Sequence, residues 1–336
     1  WESVKVMDRA LRHRAMRLLL TTAVASALSK APRQPTALRA VGRRNVALRA
    51  VGEKTAEGLE EIYASIAAAQ PAQEENYAYW IQSAVDAPAL EAAAARCGLA
   101  LDVARGVVSY APDFRAPELD FELWYCRHGK TTGNTEPRVY QGYVDEPSNA
   151  LNEIGLRQAE DAARKLEALG LEPDLVVLSP LARAADTGKA FLKRRSDIAV
   201  ATWESTAEMK FGDWDNVMVK DLPKDSICHL FYLAQNAVVK AGGPYVEPAT
   251  GRSIPGENFV EVLERMRGVL DDLKAEVAAL PPAKGGGKRV VLLYGHSMCG
   301  AALGILTGNG KVVDGESFLG FDGKYIMPNA TPVRLL

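Results

Sequence analysis

The feature that most constrains this chain is a set of short, uninterrupted apolar runs along its C-terminal two thirds. Leu123-Trp124-Tyr125-Cys126, Leu175-Val176-Val177-Leu178 and Val290-Val291-Leu292-Leu293-Tyr294 are the clearest. Each is too short for a helix and has no polar residue to turn toward water, so each predicts a strand buried on both faces. Further strands are expected near residues 198–203 and 332–336. Between the runs lie segments of helical period. Ile154, Leu156, Ala159, Ala163 and Leu166 mark a helix over 152–169 that closes at Gly170, and a longer helix is expected over 257–280. Doubly buried strands alternating with helices predict an α/β three-layer sandwich, with a mainly parallel central sheet covered by helices on both faces. In such sheets ligands bind beyond the carboxyl ends of the strands, so the strand-to-loop junctions are the places to seek chemistry.

Three junctions carry notable polar groups. Arg127 and His128 follow the first run, Ser179 and Arg183 follow the second, and His296 follows the third. Ser179 reads as the N-cap of a helix that begins at Pro180, with Arg183 in its first turn. Only four histidines occur (His13, His128, His229, His296), so a site that uses two of them is tightly constrained. His229 reads as a core or surface histidine and His13 lies in the N-terminal stretch; neither is given a role.

The order of the surrounding motifs is specific. Arg127-His128-Gly129-Lys130-Thr131-Thr132-Gly133-Asn134 is followed by Gln141-Gly142, Gly155-Leu156-Arg157-Gln158-Ala159, Ser179-Pro180-Leu181-Ala182-Arg183-Ala184, Glu208-Met209-Lys210-Phe211-Gly212-Asp213-Trp214, Gly256-Glu257 and His296. From about residue 122 to 336 this series resembles the histidine phosphatase superfamily, in its phosphoglycerate-mutase-like branch. The resemblance implies a phosphoric monoester hydrolase that forms a phosphohistidine on His128 and uses neither metal nor cofactor. Its partner would be a small phosphorylated metabolite.

Each residue carried over has an independent physical reason. A phosphomonoester is a dianion, and phosphoryl transfer needs positioning and charge stabilisation of the equatorial oxygens. Arg127 and Arg183 can each present a two-pronged donor to phosphate. His128 supplies a neutral imidazole nitrogen as nucleophile, kept neutral by the flanking cations, while its other ring nitrogen is expected to donate to a carbonyl such as that of Gly129. Asn134, Gln141 and Gly142 are expected to line the phosphate site. His296 would add a donor, and Ser297 would bring the positive end of a helix to the same anion. Glu208 is the family position for the general acid that protonates the leaving alkoxide, with Asp213 as the competing carboxylate.

Three departures from the family pattern stand out: Lys130 in place of an acid or Gln, Ala207 before the glutamate, and Asp215-Asn216 after the tryptophan. None removes a catalytic group. The stretch 217–255 reads as a cap over the pocket and carries Lys220, Lys224, Lys240 and Arg252, but no adjacent arginines of the kind that grip a substrate carboxylate in the family's mutases. A small-metabolite phosphatase is therefore preferred. A phosphoglycerate mutase-type isomerase and a protein phosphatase of the same family are the alternatives, and the intact set of polar groups argues against a catalytically silent binding subunit.

Composition bounds the remaining choices. At 336 residues, 48% hydrophobic and 24% charged, with net charge -2, the chain has the makeup of a globular protein and lacks the positive charge of a nucleic-acid binder. Cys97, Cys126, Cys228 and Cys299 are spaced neither as a zinc site nor as a disulfide framework. No uncharged apolar stretch is long enough to span a membrane, and no feature specifies an oligomeric state. After Met16 an apolar run from Leu18 to Leu28 precedes Arg33, Arg39, Arg43, Arg44 and Arg49, with no acid until Glu53. That order suits a targeting leader over 1–50, of signal-like then plastid-transit character; the alternative is a basic extension on a cytoplasmic protein. Residues 51–118 are expected to form a helical extension, and 119–336 the catalytic domain.

Overall fold

The computed structural model describes residues 68–135, 137–195, 197–234, 236–283, 286–310 and 328–336. The expected leader and the first part of the expected extension lie outside these residues. The described chain runs α1 (Gln70–Ala84), α2 (Ala87–Arg96), β1 (Leu99–Asp102), β2 (Val107–Tyr110), β3 (Phe121–Arg127), α3 (Glu153–Ala168), β4 (Leu175–Leu178), α4 (Ala182–Leu192), β5 (Ala199–Thr202), α5 (Cys228–Ala234), β6 (Tyr245–Val246), β7 (Ser253–Ile254), α6 (Phe259–Ala279), β8 (Arg289–Gly295), α7 (Ser297–Leu306) and β9 (Val333–Arg334).

The central sheet has the order β5-β4-β8-β3-β9. Its pairings are parallel except that β9 runs antiparallel to β3. The apolar runs fill both faces by strict alternation. Leu123, Tyr125, Val177, Val291 and Leu293 pack with α6 and α7, whereas Cys126, Val176, Leu178, Leu292 and Tyr294 pack with α3 and α4. Helices thus cover both faces, as the alternation of runs and helices predicts.

Local chemistry sets the helix ends. Asn152 caps α3 by accepting from Gly155 N, and Asn258 and Glu261 cap α6 reciprocally. Val262, Leu263, Met266, Val269, Leu270, Leu273 and Val277 of α6 are all buried. At about 1.5–3 kcal/mol for each large apolar side chain removed from water, this face anchors the layer.

The N-terminal extension, expected to be helical, contains α1 and α2 but is not helical throughout. After α1 and α2 the chain turns into an antiparallel hairpin, β1–β2. Tyr77, Ala94, Leu99 and Val108 are buried in the same core as α6 and α7. Tyr110 Oη donates to Ile305 O at 3.0 Å, tying the hairpin to the end of α7. The signal for it was present: two apolar stretches, Leu99-Ala100-Leu101 and Val107-Val108, flank a loop that contains Gly106.

Candidate active site

The parallel pairing of β3 with β8 places Arg127 opposite Gly295, and that of β4 with β8 places Leu178 opposite Tyr294. The residues that follow, His128, Ser179 and His296, therefore emerge side by side at one edge of the sheet. His128 N donates to Gly295 O at 2.9 Å, and the two imidazole centroids are 5.3 Å apart. Both rings are buried, at 3% and 0% exposure.

His128 Nδ1 lies 2.7 Å from Gly129 O. A carbonyl can only accept, so Nδ1 carries the proton and Nε2 holds the lone pair. Burial pushes the His128 imidazole well below its ordinary range, and the Arg183 and Arg127 guanidinium groups push it further, against the opposing pull of Gly129 O. His296 is depressed well below its ordinary range by burial, then by Arg183, His128, Arg127 and Arg265. The flanking cations act as expected, but loss of solvent is the larger cause.

The role expected of Ser179 is corrected. It does not cap a helix: α4 begins at Ala182, and the Ala182 N–H is taken by the Asp145 carboxylate at 2.8 and 3.1 Å. Ser179 Oγ instead accepts from Leu181 N at 3.3 Å and meets His296 Nε2 at 2.7 Å. With the hydroxyl proton given to Nε2, the His296 proton sits on Nδ1. Tyr125 Oη holds the same residue by its backbone, donating to His296 O at 2.6 Å and accepting from His296 N at 2.5 Å.

Arg183 is fully buried and its guanidinium is aimed by two carbonyls, Gly142 O at 2.6 Å and Val144 O at 2.9 Å. That explains the Gln-Gly element in structural terms. Gly142 takes φ +41°, and a Cβ there would meet Asp215 Oδ1 at 1.7 Å, so only glycine lets the turn present its carbonyl to the arginine. Gln141 is likewise engaged within the protein, accepting from Thr131 Oγ1 at 2.9 Å and donating to Asn149 Oδ1 at 2.7 Å. Asn134 Oδ1 accepts from Thr131 N at 3.0 Å.

Four buried nitrogen atoms of this cluster have no hydrogen-bond partner among the described residues: Arg127 Nε, Asn134 Nδ2, Arg183 Nε and His296 Nδ1. Buried polar groups are rarely left so; the three on Arg127, Asn134 and Arg183 are donors, and His296 Nδ1 is a donor when Ser179 Oγ gives its proton to Nε2, all on residues that the sequence singles out. The set suits an oxyanion.

Glu208 is 6% exposed and acts as the N-terminal cap of α7. Its carboxylate accepts from Met209 N at 2.9 Å, Ser297 N at 2.9 Å, Met298 N at 3.1 and 3.2 Å and Cys299 N at 3.3 Å. The N–H of Ser297, expected to face phosphate, is thus directed to Glu208 in this geometry. The competing acid candidate, Asp213, is exposed and sits against Gly243, accepting none of the bonds that define the His128 cluster. Behind Glu208, Arg265 binds Glu257 through two bonds, at 2.9 and 2.8 Å, and donates to Ser205 O and Ala207 O, each at 2.8 Å. Sequence reasoning gave no role to Tyr125, Asp145, Thr187 or Arg265, because their partners lie far away in the chain. Among the described residues no group of three or more His, Cys, Asp or Glu side chains is arranged to hold a metal ion.

The chain is 42% identical to mannitol-1-phosphatase of Eimeria tenella over 303 residues, 84% of this chain and 97% of that protein. Among solved structures, mycobacterial glucosyl-3-phosphoglycerate phosphatase is 28% identical with a TM-score of 0.43, over 54% of this chain and 76% of that one. Alpha-ribazole phosphatase from Shigella flexneri is 23% identical with a TM-score of 0.41, over 55% and 77%. The model of the histidine phosphatase superfamily, branch 1, matches residues 123–299, a span that holds every candidate site residue, and the chain belongs to that superfamily.

Proposed function

We propose that this phosphomonoester hydrolase acts on a small polyol phosphate such as mannitol 1-phosphate, by way of a phosphohistidine on His128 and without metal. The observation that carries the mechanism is the Nδ1–H···O bond to Gly129, which leaves Nε2 as a buried lone pair beside two guanidinium groups. Nε2 attacks phosphorus, the alkoxide leaves with a proton, and water then cleaves the phosphorus–nitrogen bond. Arg127, Arg183, Asn134 and His296 supply donors to the equatorial oxygens. Glu208 is the acid for the leaving oxygen. To deliver a proton it releases one of the N–H donors that it now accepts, because an oxygen that donates to the substrate cannot hold all of them.

The polyol assignment draws on the Eimeria tenella relative and on the insert after the glutamate. Lys240 faces Glu261 at 2.7 Å, Arg252 faces Glu204 at 3.7 Å and Lys220 faces Asp221 at 3.8 Å. Three of the four cations of the insert thus already face protein carboxylates, which makes them poorer partners for a substrate carboxylate and favours a substrate whose only charge is its phosphate. The test is turnover of a phosphoester panel that includes mannitol 1-phosphate, other polyol and sugar phosphates and 3-phosphoglycerate, following both phosphate release and isomerisation. The expected result is phosphate release with the highest kcat/KM on a polyol phosphate. Isomerisation of 3-phosphoglycerate as the main reaction would overturn the assignment.

A further inference from the structure

The nucleophilic tautomer of His128 depends on the direction of one carbonyl, that of Gly129, and the structure shows what aims it. A peptide unit is planar, with its C=O and N–H on opposite sides. The N–H of the unit that carries Gly129 O is that of Lys130, and it donates to Gln158 Oε1 at 2.8 Å. Gln158 therefore holds the far side of the peptide whose near side receives the His128 proton. The preceding peptide is held in the same manner: Gly129 N donates to Thr187 Oγ1 at 3.0 Å, while His128 O accepts from Asn329 Nδ2 at 2.8 Å. Thr187 Oγ1 gives its own proton to Arg183 O at 2.8 Å, so its lone pair is committed to Gly129.

Gln158 reaches this position because α3 starts against the loop backbone to backbone. Asn152 N donates to Lys130 O at 3.0 Å. A Cβ on Gly155 would meet Lys130 O at 2.0 Å, and one on Gly129 would meet Gly155 O at 2.5 Å. Two glycines thus permit the approach that brings Gln158, one turn into α3, onto Lys130 N. The same arrangement explains how Lys130 is accepted where relatives of the family carry an acid or Gln. The backbone of residue 130 does the positioning, and its side chain turns away to donate to Asn134 O at 3.0 Å.

We propose that Gln158, assisted by Thr187, is a positioning residue that fixes the Gly129 peptide and thereby keeps the His128 proton on Nδ1 and the lone pair on Nε2. The inference rests on His128 as the nucleophile for its consequence in turnover, but its direct readout does not. In resting enzyme with ring-labelled histidine, nitrogen chemical shifts report which ring nitrogen carries the proton, with no substrate present. Trapping of phosphohistidine separately tests the nucleophile.

The informative variants are Gln158→Met, which keeps the length and removes the acceptor, and Gln158→Glu, which keeps an acceptor oxygen. Gln158→Met is expected to move a measurable fraction of His128 to the Nε2–H tautomer and to lower kcat about 10-fold, the worth of one well-placed hydrogen bond, with KM little changed. Gln158→Glu is expected to restore the wild-type tautomer and most of the turnover. Thr187→Val, nearly isosteric with threonine, should shift the tautomer in the same sense, and Thr187→Ser should recover it. A Gln158→Met enzyme that retains the wild-type tautomer overturns the proposal, whether its turnover is kept or is lost through a lowered thermal midpoint.

Discussion

Replacing Glu208 by Gln separates two things that this carboxylate does. As a cap it takes N–H groups from Met209, Ser297, Met298 and Cys299. Gln presents one oxygen and one NH2, and the NH2 cannot accept, so at least one buried N–H is left without an acceptor and the negative charge at the start of α7 is lost. A hydrogen bond to a charged group is worth about 1.5–3 kcal/mol, and a charge at a partly buried helix end up to about 2 kcal/mol. Because the two overlap, the variant should lose about 2–4 kcal/mol. At about 2–4 °C per kcal/mol for a domain of this size, its thermal midpoint should fall by roughly 5–15 °C. As an acid, Glu208 matters only when the leaving oxygen is basic. Turnover of mannitol 1-phosphate by Glu208→Gln, measured well below its midpoint, should fall by about 10² to 10⁴, whereas p-nitrophenyl phosphate, whose phenolate leaves without a proton, should lose far less. The assay is steady-state phosphate release on both substrates beside a calorimetric scan. Equal losses on the two substrates would refute the acid assignment and leave Glu208 as a cap alone, and an unchanged midpoint would refute the capping argument. Asp213→Asn, at an exposed position, should affect both substrates weakly and alike.

Three further outcomes are expected. Brief exposure to labelled substrate with an alkaline quench should give acid-labile, base-stable label on the wild type and none on His128→Ala; label that persists in the variant would place the nucleophile elsewhere. Phosphate release should survive a strong chelator and be blocked by vanadate, and activity that is lost on chelation and returns with a divalent metal would overturn the metal-free mechanism. Stability should rise with pH between about 5 and 7. His128, His296 and His229 are all depressed by burial, so below the ordinary value of about 6.5 the unfolded chain binds protons that the folded chain does not, which weakens folding by up to about 1.4 kcal/mol per pH unit for each. Asp215, pushed well above its ordinary range by burial, and Asp213, also raised by burial, work in the opposite sense: the unfolded chain releases their protons above about 3.9, so their contribution falls as pH rises. The three histidines outnumber the two carboxyls, and a thermal midpoint that is flat or falls from pH 5 to 7 would contradict the burial argument.

Much of this molecule is written locally in the chain. An apolar run with no polar residue has only a doubly covered strand open to it, so 123–126, 175–178 and 290–294 determined the sheet, and the helical spacing after Asn152 determined the helix that covers it. A strand that ends in a polar residue puts that residue at the carboxyl edge of the sheet, which is why Arg127, His128 and His296 were legible before any contact was known; Arg183 was legible as the first-turn residue of the helix that follows β4. The acceptor for His128 Nδ1 belongs to its neighbour Gly129, but the groups that hold that peptide, Gln158 and Thr187, lie far along the chain.

What the sequence left open depends on partners far apart in the chain. The β1–β2 hairpin is short and is held by packing of β1 on α2, which lies against α6, and by the Tyr110 bond to the end of α7. Ser179 looks like a cap because serine before proline often is one; pairing of β4 with β8 instead puts its hydroxyl on the His296 ring, and Asp145, from a distant loop, takes the N-terminus of α4. Ser297 looks like an anion site because helix starts attract anions, and the anion that meets it here is the Glu208 carboxylate, 89 residues away. The chain by itself determined which groups stand at the edge of the sheet, because strand burial and strand direction are local properties. Only the tertiary structure decided which of those groups serve one another, because a buried hydrogen bond goes to whichever partner the packing brings within reach.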